Sequence, residues 1–243
     1  MRYKAVITYA ALAIVVPLNA AAHWGIVSSC PTPCDEPRGL CGHLLVGDGP
    51  VPYVYSMHIG NGSVFSSFPA PGGPGAWGIS DADVEYELYL SNNRTSWIYK
   101  TYTNGSILSS FKCPLPGPAG IGYAYDTRLE VAIPSMNVIA VVNPQTGSLV
   151  STIRGPGQNP TACAGWGAEF ITDAGMHAVY FKSRRIIEGI ETPTGIWYQQ
   201  SQSDTEAYWF VFIVDAATKH IYEYNDNVAV VPASLGRVKA LFK

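Results

Sequence analysis

The sequence predicts an all-β fold, a β-propeller of five blades of about 40–44 residues each, preceded by a signal peptide. Three observations predict it. A ten-residue window recurs five times at near-constant spacing, a Ser-rich strand motif returns at matching offsets, and a Pro with a Gly close behind precedes each window. Composition agrees, since 24 Gly and 18 Pro beside only 14% charged residues suit many short strands joined by tight turns.

In the window, an aliphatic residue is followed two places on by a short polar residue and nine places on by tyrosine. The copies are Val46, Asp48 and Tyr55; Leu90, Asn92 and Tyr99; Ile171, Asp173 and Tyr180; and Ile213, Asp215 and Tyr222. The remaining copy, Val131 with Ile133 and Ala140, keeps the apolar frame and loses both the polar residue and the tyrosine. Successive windows start 44, 41, 40 and 42 residues apart. The Ser-rich motif reads Gly62-Ser63-Val64-Phe65-Ser66-Ser67-Phe68, then Gly105-Ser106-Ile107-Leu108-Ser109-Ser110-Phe111, then Gly147-Ser148-Leu149-Val150-Ser151-Thr152-Ile153. The Pro and Gly pairs are Pro37 and Gly39, Pro74 and Gly75, Pro118 and Gly120, Pro160 and Gly165, and Pro193 and Gly195.

Each unit therefore reads as a Gly-rich inner strand, an aliphatic strand, a strand ending in Tyr and a Ser-rich outer strand, which is one four-stranded blade. Blades pack face to face around an axis, so inner strands are buried on both sides and apolar throughout. Residues 37–232 form the propeller. A sixth, irregular blade built from 23–36 and 225–235 is the alternative count. Ring closure is open: Val228 to Val231 would be the last outer strand or a partner of the N-terminal segment. Residues 199–207 read as a polar loop inserted in the fifth unit.

The residues also carry a family resemblance. Ile171-Thr172-Asp173-Ala174-Gly175-Met176-His177-Ala178-Val179-Tyr180 resembles the NHL repeat, and Val141-Val142-Asn143-Pro144-Gln145-Thr146-Gly147-Ser148 resembles the YVTN-type repeat. The resemblance runs from about Pro37 to Tyr224 and implies a secreted or surface propeller. It names no activity, because such repeats serve binding modules, scaffolds and some enzymes.

Outside the propeller, Arg2 and Lys4, the apolar Ala5–Leu18 stretch and Ala20-Ala21-Ala22 form a signal peptide over 1–22. Cleavage near Ala22 gives a secreted, periplasmic or surface protein with no membrane span in the mature chain. Residues 23–36 form a Cys-containing segment whose Cys30 and Cys34 cluster with Cys41 just downstream, a group within which a bridge can form. The odd count of five cysteines leaves at least one thiol unpaired in a monomer. Residues 233–243 form a basic tail that spaces Leu235, Val238, Leu241 and Phe242 as an amphipathic helix would.

For chemistry, the repeated Asp48, Asn92, Asp173 and Asp215 are read as turn caps rather than a carboxylate ring. The inner-strand aromatics Trp77, Tyr123, Trp166 and Trp197 are the ligand-binding candidates, placed to stack on a sugar or clasp a peptide at the channel mouth. His23, His43, His58, His177 and His220 have no metal-ligand spacing, and neither a catalytic residue nor a metal or cofactor is assigned. The N-x-S/T sequons at Asn61, Asn93 and Asn104 coincide with the repeat's turns. A net charge of −3 gives no electrostatic reason for nucleic acid. The expected function is a secreted, non-catalytic, monomeric module that binds a protein or glycan at its mouth or rim. A lyase or hydrolase with an axial pocket and a structural surface or matrix protein are the alternatives.

Overall fold

The computed structural model describes residues 24–42, 44–47, 52–82, 84–124, 127–165, 167–202 and 207–226. The leader, the tail, Val228–Val231, His23, His43, Asp48 and Trp166 lie outside the described residues.

The described chain forms five four-stranded antiparallel sheets. Blade 1 is β2 (Pro37–Cys41), β3 (Leu44–Gly47), β4 (Tyr53–Met57) and β5 (Val64–Pro69). Blade 2 is β6 (Ala76–Asp81), β7 (Glu87–Asn92), β8 (Trp97–Tyr102) and β9 (Ile107–Lys112). Blade 3 is β10 (Ile121–Ala124), β11 (Arg128–Ile133), β12 (Val138–Val142) and β13 (Leu149–Arg154). Blade 4 is β14 (Pro160–Ala164), β15 (Phe170–Asp173), β16 (Ala178–Phe181) and β17 (Arg184–Glu188). Blade 5 is β18 (Pro193–Gln202), β19 (Ala207–Asp215) and β20 (His220–Asn225), and its outer strand is β1 (Gly25–Pro31), from the other end of the chain.

That closing strand comes from the segment expected to precede the propeller, and the count among the described residues is five blades, not six. Ile26 faces Tyr224 and Ser29 faces Tyr222. The reason is in the residues: Ile26-Val27-Ser28-Ser29-Cys30 is a fourth copy of the outer-strand motif. In register, the second Ser of the motif lies opposite the repeat Tyr three times: Ser67 and Tyr55, Ser110 and Tyr99, Ser29 and Tyr222. A small side chain there leaves room for the ring of its cross-strand neighbour. In blade 4 the place is taken by Arg185, whose guanidinium lies 5.8 Å from the Tyr180 ring.

The window residues pair directly as Leu90 with Tyr99, Val131 with Ala140, Ile171 with Tyr180 and Ile213 with Tyr222. The tyrosines sit within their strands rather than at the ends. The 199–207 segment is strand rather than loop as far as it is described. β18 continues to Gln202 and β19 starts at Ala207, which makes this the longest hairpin of the described chain.

The core is split into five layers between consecutive blades. Val46 and Val54 meet Ile79 and Leu90; Ile98 meets Leu129; Ile139 meets Ile171; Phe170 meets Val211 and Ile213; and Val214 and Ile221 meet Leu40 and Leu45. At the axis the inner strands touch through glycine. A Cβ on Gly195 would fall 2.3 Å from the Arg38 carbonyl oxygen, and one on Gly39 would fall 2.6 Å from that of Trp77. The same clash recurs from Gly78 to Ala119 and from Gly120 to Ala162. Hydroxyls bridge these contacts: Thr194 Oγ1 donates to the Pro37 carbonyl at 3.0 Å, and Thr161 Oγ1 to that of Pro193 at 2.5 Å.

The three N-terminal thiols are free, so the bridge considered for them is absent. They lie on different parts of the framework. Cys30 is buried in the seam between blades 5 and 1, Cys34 sits on the link between β1 and β2, and Cys41 belongs to the layer between blades 1 and 2. Cys113 and Cys163 are also free and buried.

Candidate functional site

The two ends of the axial channel differ. At one end stand the window's polar residues, each opposite the first residue of its inner strand: Asn92 faces Ala76, Asp173 faces Pro160 and Asp215 faces Pro193. All three are buried and spent on backbone. Asp173 accepts from the N–H groups of Gln158, Asn159 and Met176 at 2.7–2.9 Å. Asp215 accepts from those of Glu191, Thr192 and Ala217. Asn92 donates through Nδ2 to the carbonyls of Gly73 and Pro74 and accepts from Thr95 N–H. Blade 3 lacks the polar residue and turns instead through a 3₁₀ segment, Pro134–Met136, with Asn137 donating to the Gly157 carbonyl at 2.8 Å.

The other end opens into a cavity of about 650 Å³ at the C-terminal ends of the inner strands. All five inner strands contribute to its wall. Its floor is apolar, with Leu40, Ile79, Ile121 and Ile196. Its sides carry rings. Tyr123 stacks on Tyr89 with centroids 5.8 Å apart and planes at 12°, and Tyr198 lies 5.5 Å from Trp209. Trp197 lies 5.0 Å from Phe212. The polar lining is Ser80, Asp81, Gln199 and Gln200. Ser80 Oγ accepts from Tyr123 N–H at 2.9 Å and donates to the Asp81 carbonyl at 3.2 Å, which ties two inner strands together at the rim.

Of the four aromatics singled out from sequence, Tyr123 and Trp197 line this cavity. Trp77 sits near the start of β6, toward the opposite end, where the Arg38 guanidinium covers its ring at 4.4 Å. Sequence reasoning missed Tyr198, Trp209 and Asp81, whereas Gln199 and Gln200 open the 199–207 insertion that the sequence marks as a break in the repeat. The unequal length of the β18–β19 hairpin was the signal that would have found most of them, since it lifts Tyr198, Gln199, Gln200 and Trp209 to the rim.

Two thiols are part of the wall. Cys41 Sγ accepts from Asp81 N–H at 3.1 Å, and Cys163 Sγ donates to the Glu130 carbonyl at 3.2 Å. Burial, and then the nearby Asp81 or Glu130 carboxylate, pushes both thiols well above the usual range. They are held protonated at neutral pH and are poor nucleophiles. Glu130, one strand behind the wall, is buried and accepts from Ala168 N–H at 2.6 Å. Among the described residues no group of three or more His, Cys, Asp or Glu is placed to hold a metal ion.

The chain has the fold of a five-bladed β-propeller. Among solved structures, the glutaminyl cyclase of Myxococcus xanthus superposes with a TM-score of 0.63 over 83% of this chain and 95% of the cyclase, at 11% identity. The virginiamycin B lyase of Staphylococcus aureus matches with a TM-score of 0.47 and 19% identity over 77% of this chain and 65% of the lyase. At these identities the likeness is one of fold alone. No family model and no curated protein sequence matches the chain. Function therefore has to be read from the cavity.

Proposed function

We propose that the protein is an exported, non-catalytic binding module of the NHL and YVTN type whose axial cavity receives a neutral carbohydrate. The observation that carries the reading is the chemistry of the wall. Partly buried rings at Tyr123, Trp197, Tyr198 and Trp209 stand beside one carboxylate and two carboxamides, with no Lys, Arg or His among the described lining residues. A sugar ring has an apolar C–H face that stacks on an aromatic side chain and a rim of hydroxyls that pair with planar acceptors and amides. Among the described lining residues an anionic ligand would find no countercharge, and a basic peptide would find a single one.

Asp81 is the one carboxylate among the described lining residues. Glycoside hydrolysis of the common kind requires two carboxyl groups flanking the bond, whereas a single carboxylate such as Asp81 is enough to accept hydrogen bonds from sugar hydroxyls. A lyase or other hydrolase using Asp81 as its acid–base group is the competing reading, and the same carboxylate favours it.

Titration of the purified protein with a panel of neutral oligosaccharides, followed by tryptophan fluorescence, tests the proposal. Trp197 and Trp209 lie in the wall, so a saturable spectral change is expected. Trp209→Ala should abolish it, and Asp81→Asn should weaken it about tenfold, as loss of a charge-assisted hydrogen bond does. A panel that gives no saturable change overturns the reading. Covalent turnover of a bound sugar that Asp81→Asn abolishes would establish the enzyme instead.

A further inference from the structure

A second cavity, also of about 650 Å³, opens on the seam where the ring closes, between blades 5 and 1. Its walls are His58 and Asn61 from the β4–β5 turn, and Trp197, Gln199, Phe212 and Glu223 from blade 5. Trp197 and Gln199 also line the axial cavity, so the two spaces share one wall. They do so because of register. Trp197 lies opposite Phe212, Phe212 opposite Glu223, and Glu223 opposite Ser28. Directly opposed residues share a face of the sheet, so these four form a single row across blade 5 from the channel to the outer strand. Three inter-strand steps of about 4.8 Å make that row roughly 14 Å long.

The row passes from aromatic to polar along its length, which suits a chain of sugars. Trp197 and Phe212 form a ring pair at its inner end, and Glu223 and Ser28 form its polar outer end, held together by a hydrogen bond of 2.5 Å from Ser28 Oγ. Across the gap, the β4–β5 turn is fixed. His58 N–H donates to the Ser63 carbonyl, and the His58 carbonyl accepts from Asn61 and Gly62. The His58 ring packs 5.2 Å from that of Phe65. Asn61 Oδ1 accepts from both the N–H and the hydroxyl of Ser63, which leaves the amide NH2 as the group offered to a ligand. The turn is also braced on the closing strand, where Gly62, at φ +75°, lies against Pro31.

We propose that the site takes an extended oligosaccharide whose terminal unit occupies the axial cavity and whose following units run outward over the seam, on the Trp197–Phe212–Glu223 row and under His58 and Asn61. The inference rests on the carbohydrate reading of the axial cavity and adds direction and chain length to it. The protein is then a reader of chain ends, with the seam sensing how far the chain continues.

The test is a ladder of chito- and cello-oligosaccharides from monomer to hexamer, titrated calorimetrically into the parent protein and into His58→Ala, Asn61→Ala and Glu223→Gln. Affinity should rise over the first few units and then level off. His58→Ala and Asn61→Ala sit in an exposed turn, and each should lower affinity for the longer members by about fivefold to tenfold while leaving the shortest member that binds unchanged. Glu223→Gln keeps the shape of the row and checks that the effect does not come from opening the seam, with thermal melts confirming a closed ring. Affinity that is independent of length, or length dependence that survives all three substitutions, overturns the seam track and leaves the axial reading standing. No binding at any length overturns both.

Discussion

The short polar residue that ends the second strand of a blade is chosen by what the linker from the preceding blade presents to it. In blades 4 and 5 the linker offers two backbone N–H groups, and an aspartate, an acceptor only, takes both together with a third from its own hairpin turn, Met176 or Ala217. In blade 2 the linker offers the carbonyls of Gly73 and Pro74, and asparagine supplies the NH2 that carbonyls need. The side chains of Asn92, Asp173 and Asp215 are buried, so a mismatch there cannot be relieved by water. The isosteric exchanges Asn92→Asp and Asp173→Asn should therefore each cost about 2 kcal/mol, although volume and shape are almost unchanged. Urea denaturation of the two variants measures this, and equal midpoints with the parent would show that the pairing is not what holds the linkers.

At the scale of the strand, β1 decides whether the ring is closed. It covers β20 along its length and delivers Cys30 to the core layer that also holds Leu40, Leu45 and Ile221. A chain lacking Gly25–Pro31 should lose at least about 3 kcal/mol, a fall in Tm of roughly 10 °C, and should expose β20 as an edge prone to pairing with other chains. Differential scanning calorimetry and light scattering of the truncated chain would read both effects. Four of the five outer strands carry the motif in the sequence, one of them upstream of the first window. Ile26-Val27-Ser28-Ser29-Cys30 repeats the order of Val64-Phe65-Ser66-Ser67-Phe68, but it lacks the Gly-Ser lead and ends in Cys where the others end in an aromatic or aliphatic residue. The blade count was legible because the window reports a local hairpin, in which residues nine apart face each other in blades 2 to 5, and Val46 faces Val54, one place short of Tyr55, in blade 1. The site was less legible. Periodicity marks what blades have in common, whereas Tyr198, Gln199, Gln200 and Trp209 reach the cavity through the one hairpin that is longer than the rest. Trp77, an inner-strand ring at the start of β6, lies toward the end of the channel opposite the cavity.

Over the whole molecule, free thiols and buried phenols make the fold sensitive to alkali. Burial, and then the charges of Tyr222 and Asp215, pushes the Tyr224 phenol up to about 12, and burial followed by Asp35 pushes the Cys34 thiol up to about 11. Burial acts in the same direction, and more strongly, on Cys41 and Cys163. In each case folding favours the protonated form. The unfolded chain begins to lose these protons near pH 9 for thiols and pH 10 for tyrosine, while the folded chain still holds them. Their contribution to stability is thus fully present below those values and is lost as pH rises toward the folded ones. The urea midpoint should be flat from pH 7 to about pH 8 and fall steadily above pH 9. Tyr224→Phe removes one of the responsible groups without changing the ring, so it should match the parent at pH 7 to within about 1 kcal/mol. At pH 12 it should exceed the parent by an amount on the order of 2 kcal/mol. The measurement is a series of urea titrations of both proteins across this range, with a thiol reductant present throughout so that the five cysteines stay reduced. A midpoint that does not move between pH 8 and pH 11 would mean that these side chains meet water in the folded state, and that the layers between the blades are looser than the register of the strands requires.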